Sequence, residues 1–222
     1  MSWYADRRPR GSRIPSVRSL CLILVAAVGC GFASPFARPE EFVPLPEVEV
    51  TWRDSRALGV PEAGRLVRGV RFPAAGPTFF TWDPLLHRRP DRSWRRWGTD
   101  DLVRTVLRVI DRYAGRHPFA PRVGIGDLSR PRGGYFGPRH VSHQNGLDVD
   151  VYYPRLDRRE RAPRTAAQID RRLSQTLVDL FVQAGASRVF VGPNTGLIGP
   201  PNVVQVLWNH DNHLHVRMSP SP

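Results

Sequence analysis

Lysine is absent from this sequence: all 33 basic residues are arginine, set against 20 acids for a net charge of +13. A surface selected to grip a polyanion normally keeps some lysine. Its complete loss, beside 22 prolines, reads as codon bias in a GC-rich genome. The charge still sets up a field that draws anions, but it is weak ground for nucleic-acid binding. Cysteine is nearly as scarce. Cys21 and Cys30 both lie in the apolar stretch 20–33. With that stretch removed there is no disulfide framework, no thiolate zinc site and no cysteine nucleophile. Any metal must then rest on histidines and carboxylates. No apolar run reaches the ~18 residues of a membrane-spanning helix, which excludes a polytopic membrane protein. What remains is an ordinary globular composition, 41% hydrophobic and 24% charged, on 222 residues. That is enough for one domain with trimmings.

The first 33 residues read as an export signal: a basic segment with Arg7, Arg8, Arg10, Arg13 and Arg18, an apolar run at 20–28, and a small-x-small cleavage site at 31–33. A second version leaves a lipid on Cys30 through the loose lipobox Val28-Gly-Cys30, the one route by which this chain would touch a membrane. Either version places the protein in the periplasm or cell envelope, or outside the cell, away from nucleic acid. Residues 34–98 form a proline-rich extension with strand-like runs at 48–52 and 66–72. Within it, residues 88–97 pack five arginines with Trp94 and Trp97; a solvated loop over two buried indoles is expected. Residues 99–222 form the main domain. A helix is expected over 99–114, capped by Thr99 and ended by Gly115. A second is expected over 165–184, opened by a Thr165-x-x-Gln168 capping box and stopped by Gly185. Strand-like runs follow at 188–191, 203–207 and 213–218. The fold class is α+β: an antiparallel sheet flanked by helices.

Five of the seven histidines fall in two short segments, His140 and His143 in one and His210, His213 and His215 in the other. Residues 147–152 alternate apolar and acidic, so a strand there presents Asp148 and Asp150 on one face. The turn Gln144-Asn145-Gly146 can fold His143 back over that face. His213 and His215 also alternate along a strand. If the two strands are neighbours, one face gathers several imidazoles with a carboxylate, a donor set that suits zinc and leaves a position for water. Singly, each of these residues has an ordinary structural reading. As a set they are stronger, because polar groups buried together need the compensation that a metal supplies. A Ser142–His–Asp triad would leave most of the histidines unexplained, and no Gly-x-Ser-x-Gly elbow is present.

The segment Ser142-His-Gln-Asn-Gly-Leu-Asp-Val-Asp150, with His210-x-x-His213-x-His215, resembles the penicillin-insensitive murein endopeptidases. These belong to the zinc peptidase group that includes lysostaphin, the D-Ala-D-Ala carboxypeptidases and the hedgehog signalling domain. The likeness extends over residues 120–218, with Gly126-Asp-Leu-Ser129 and Gly133–Gly134 upstream. It implies a zinc peptidase domain at 99–222 with one Zn2+ held by His143, Asp150 and His215. It implies His213 as catalytic histidine and His210 as a candidate general base. His140 and Asp148 are expected behind the ligands or at a second metal. No histidine lies between 143 and 210, so the downstream histidine partner of a second metal is missing. The implied substrate is peptidoglycan, cut at the D-alanyl–meso-diaminopimelate cross-link. The alternatives are a D,D-carboxypeptidase of the same group and a non-catalytic zinc module that binds the wall.

Overall fold

A computed structural model describes residues 48–220 apart from Arg139. The export signal, Cys30 and the first part of the proline-rich extension lie outside the described residues. In chain order the strands are β1 (Arg56–Val60), β2 (Ala63–Val67), β3 (Val70–Arg71), β4 (Phe79–Thr81), β5 (Trp97–Gly98), β6 (Val123–Ile125), β7 (Asp148–Tyr152), β8 (Ala186–Val191), β9 (Val204–Val206) and β10 (His213–Met218). Two helices accompany them, α1 (Asp100–Arg116) and α2 (Arg171–Gln183). No helix among the described residues is long and apolar enough to cross a membrane.

The fold is α+β, but its main sheet is mixed rather than antiparallel. Six strands lie in the order β4-β6-β7-β10-β8-β9. The central pairs are antiparallel, while β4–β6 and β8–β9 at the two edges are parallel. The reason at the first edge is α1. A helix between two strands returns the chain to the end it left, so the next strand runs parallel. Both helices contribute to one core with Val149, Val151, Val189, Val191, Leu214 and Val216. Asp148, Asp150, His213 and His215 alternate with these residues and so occupy the opposite face.

The first expected helix forms. Thr99 Oγ1 accepts from the Leu102 N–H at 3.2 Å, and Asp100 and Asp101 sit in the first turn. It runs through Gly115 to Arg116, however, and ends at His117. Pro118 is the cause, since a residue before proline is pushed out of the helical region. The second expected helix begins later. Residues Ala166–Gln168 make a short 3-10 turn, Ile169 is extended, and Asp170 caps α2 by accepting from Leu173 N–H at 3.0 Å. The expected capping box fails because Gln168 Oε1 is already committed to Arg155 at 2.7 Å and Arg164 N–H at 2.8 Å. Gly185 does terminate the helix, at φ +84°.

Residues 48–52 form no strand. From β1 onward the proline-rich segment belongs to the fold, and Val70, Phe72 and Phe79 are in the same core as α1 and α2. The arginine-rich run differs from a solvated loop over buried indoles. Trp94 and Trp97 are half-buried, while Arg95 and Arg96 are buried. Arg95 closes on both oxygens of Asp127, and Arg96 donates to Phe72 O at 2.5 Å. The β1–β2 hairpin lies against the loop that carries His143, through Gln144 N–H to Pro61 O at 3.0 Å. That contact needs Gly133 (φ +69°), where a Cβ would stand 2.1 Å from Gln144 O.

Candidate metal centre

Strands β7 and β10 pair antiparallel with His215 directly opposite Asp150 and His213 opposite Tyr152. This pairing merges the two histidine segments into one site. His143 enters from the loop before β7, with its Nε2 3.4 Å from Asp150 Oδ1. His215 Nδ1 lies 3.1 Å from the same oxygen. The donor atoms of His143, Asp150 and His215 all fall within 4.8 Å of one another, and all three residues are buried.

The donor set fits a metal on its own chemistry. The His143 Nδ1–H donates to Leu128 O at 2.6 Å, which fixes the tautomer and turns the Nε2 lone pair toward Asp150. His215 presents Nδ1 to Asp150 and turns Nε2 toward Asp148 Oδ1 at 3.6 Å. Such outer partners are what orient imidazole ligands. His143 itself has φ +68°, a conformation that costs a non-glycine residue energy. Its N–H bond to Asp148 Oδ2 at 3.0 Å helps to hold it there.

Asp148 is fully buried beneath the trio. Arg217, its register partner on β10, donates to it at 2.8 Å and also pairs with Glu62 at 2.7 Å in the β1–β2 turn. Burial opposes ionisation of Asp148, but His215, His143 and Arg217 outweigh it and hold the carboxyl well below the usual range. Asp150 is likewise held low: burial acts against it and is outweighed by His143, His213 and His215. Burial weakens protonation of His215, yet its bonds to Asp148 and Asp150 push it up to about 9.

His213 lies beside the trio, Nε2 3.6 Å from Asp150 Oδ1. Its Nδ1 bonds Asn212 Oδ1 at 2.6 Å. Burial dominates here and pushes its pKa down to about 4. His210 follows the same logic, lowered by burial, with Nδ1 bonded to Trp208 O at 2.8 Å and its ring 4.7 Å from that of His213. The close packing of its loop depends on Gly192, where a Cβ would meet Asp211 Oδ1 at 2.2 Å.

His140 belongs to a second group. Its Nε2 is 3.0 Å from Asp127 Oδ2, and Asp127, His140 and Asp150 form another set whose donor atoms lie within 4.8 Å of one another. Burial lowers the His140 pKa and Asp127 more than restores it, so the net shift is upward. Asp127 and Arg95 were not among the residues expected at the site. The only signal for Asp127 was its place in Gly126-Asp-Leu-Ser129. Ser142 Oγ approaches His215 Nε2 only at 3.5 Å and is buried, and that nitrogen also faces Asp148. This is a poor geometry for a nucleophile.

Residues 57–193 match the sequence profile of the penicillin-insensitive murein endopeptidases. The chain belongs to this family. Curated relatives of that name include one from Yersinia enterocolitica, 42% identical over 64 residues that make up 29% of this chain and 22% of the relative. One from Klebsiella pneumoniae is 31% identical over 98 residues, 44% of this chain and 32% of the relative. One from Salmonella paratyphi C is 41% identical over 58 residues, 26% and 20% of the two chains. This chain therefore matches a third or less of the length of these relatives. The family match ends at residue 193, before His210, His213 and His215; the β7–β10 pairing is what joins those residues to the matched part.

Proposed function

We propose that this chain is an exported zinc peptidase that cleaves peptide cross-links of peptidoglycan, of the D-alanyl–meso-diaminopimelate type. The observation that carries the reading is the convergence of His143 Nε2, Asp150 Oδ1 and His215 Nδ1 in a chain of the murein endopeptidase family. Two imidazoles and one carboxylate, with an open position, are the ligand set of catalytic rather than structural zinc. Zinc held there supplies Lewis acidity, polarising an amide carbonyl and making hydroxide accessible near neutral pH. One ion per chain is the reading, because the second group shares Asp150 with the first and Arg95 already closes on its Asp127.

The chain's own residues then divide the proton work. His213 is neutral at pH 7, since its pKa lies near 4, and its Nδ1–H is held by Asn212. Its Nε2 lone pair therefore faces the centre of the site as a proton acceptor. His210, its pKa lowered by burial, has its ring 4.7 Å from that of His213 and 5.9 Å from that of His215, and is the second candidate base. His140, whose pKa burial lowers and Asp127 more than restores, stands with Asp127 beside Asp150 and supports that ligand from outside the trio. Asp148 and Leu128 O do no chemistry; they hold the two imidazoles in position.

The decisive variant is His213→Ala. It should keep its zinc and its fold but lose cleavage of dimeric muropeptides by on the order of 10²-fold or more, the scale of general acid–base help. Undiminished cleavage by His213→Ala would overturn the mechanism. Zinc-loaded wild type that cuts no wall peptide would favour the wall-binding module instead. Export, through cleavage after Ala33 or lipidation at Cys30, is part of the proposal. N-terminal sequencing from the native host checks it, and a mature chain starting at Met1 would refute it.

A further inference from the structure

A cavity of about 670 Å³ opens beyond the edge of the sheet, lined among others by Phe80, Arg88, Arg89, Arg122, Glu160 and Arg161. It lies on the face of the sheet that carries the metal centre. Phe80 is the register partner of Gly124, and Gly124 of Tyr152. Tyr152 shares its face with Asp150 by strand alternation. A Cβ on Gly124 would meet Phe80 at 2.9 Å and Tyr152 at 3.2 Å, so these two side chains meet over the glycine. Arg122 lies two residues before Gly124 and four before Gly126, whose N–H donates to Asp150 O at 2.8 Å. At ~3.3 Å per strand residue, the cavity is roughly 13 Å from the metal centre. About four residues of extended peptide span that distance.

The charge of the cavity is unbalanced. Four guanidinium groups line the cavity with one carboxylate, Glu160, and among the described residues only Arg161 of the four has a further carboxylate partner, Asp157 at 3.7 Å, which it shares with Arg155 and Arg159. Glu160 is shared: Arg122 Nε and Nη2 donate to its two oxygens at 2.6 and 2.7 Å as a bidentate pair, and Arg89 closes on it as well. Arg122 is locked by donating to Gly76 O at 3.0 Å, and the Arg89 guanidinium stands 5.7 Å from the centre of the Phe80 ring. Like charges so close are costly. Burial and the neighbouring Arg89 both lower the pKa of Arg122. Arg88 adds a further guanidinium from an exposed position, and Arg161, also exposed, brings one that it shares with Asp157. A rigid floor with excess arginine donors matches a planar oxyanion, which arginine binds through paired N–H groups.

We propose that this cavity is an anion-binding subsite that takes a carboxylate of the substrate's stem peptide while the scissile amide lies at the metal centre. The proposal rests on the peptidoglycan reading for its source of anion. The other source of the same chemistry is a phosphate-bearing wall polymer. The test is calorimetric binding to wild type and to Arg88→Gln/Arg89→Gln, with three probes: a monomeric muropeptide with free stem carboxylates, the same muropeptide amidated, and inorganic phosphate. None contains a cross-link, so binding is read apart from turnover. The free-acid muropeptide should bind wild type at least tenfold more tightly than the amidated one. The double variant should lose that preference with its thermal unfolding unchanged. Arg88→Gln alone, an exposed change, serves if the double variant unfolds, and should lose part of the preference. Equal binding of all probes by wild type and variant, or no binding, overturns the subsite. Binding of phosphate alone overturns the stem-carboxylate assignment. Intact binding in a protein that cuts no cross-link would refute the peptidase reading and leave this site standing.

Discussion

Asp91 is 1% exposed and poorly served. Its Oδ1 accepts from the Arg92 N–H at 2.7 Å, and Arg95 approaches the same oxygen only to 3.6 Å, since Arg95 is committed to Asp127. Among the described residues its Oδ2 has no hydrogen-bond partner. Burial raises its pKa first, the Asp127 charge raises it further, and Arg95 only partly offsets them, leaving it at about 8 against an ordinary 3.8. The native state therefore holds a proton that the unfolded chain has released between about pH 4 and pH 8. The unfolded state binds fewer protons in that window, so stability is fully present below it and falls as pH rises through it. The slope is at most about 1.4 kcal/mol per pH unit. The full window would cost about 6 kcal/mol as a ceiling, reduced to a few kcal/mol by whatever rearrangement the ionised carboxylate allows. Asp91→Asn stays neutral throughout. Its urea-unfolding free energy, measured on the zinc-loaded protein from pH 5 to 8, should stay flatter than that of wild type. The variant's advantage should grow with pH and reach a few kcal/mol at pH 8. Parallel curves, or a variant less stable at pH 8, would refute the reasoning.

Asp148→Asn should lower zinc affinity by roughly 10–100-fold, the usual loss when an outer partner of a histidine ligand is removed. Asp148 supports both His143, at 3.0 Å, and His215, at 3.6 Å; competition with a chromogenic chelator measures the change, and an unchanged affinity would show that the two imidazoles are positioned without it. Leu177→Ala, at a fully buried position of α2, should cost about 2–5 kcal/mol of unfolding free energy through lost contacts and a residual cavity. Denaturant titration checks it, and a loss below 1 kcal/mol would mean that the helix is not packed as described.

The parts legible in the sequence were those set by near neighbours. The Thr99 cap and the apolar stripe of α1 are written within one helix. The alternation of Asp148 with Asp150, and of His213 with His215, fixes which side chains share a face. The helix ends differ where another residue competed, whether near or far in sequence. Gln168 was drawn away from its capping box by Arg155, thirteen residues earlier, and Pro118 overrode the Gly115 stop. The parallel pairing of β4 with β6 follows from how α1 returns the chain, which periodicity does not encode. The same holds at the site. The two strands announce themselves, but only their pairing across 65 residues brings His215 to Asp150. Arg95 sits in a run whose composition signals solvation, and its burial comes from a carboxylate partner 32 residues away. The left-handed backbone of His143 has no sequence signal at all.

The most direct test is digestion of purified cross-linked peptidoglycan by the zinc-loaded protein, followed by mass spectrometry. Dimeric muropeptides should give monomers while the glycan strands stay intact. A chelator should abolish the reaction and added zinc should restore it. Dimers that persist in the presence of the zinc-loaded protein, or cleavage indifferent to the chelator, would contradict the account.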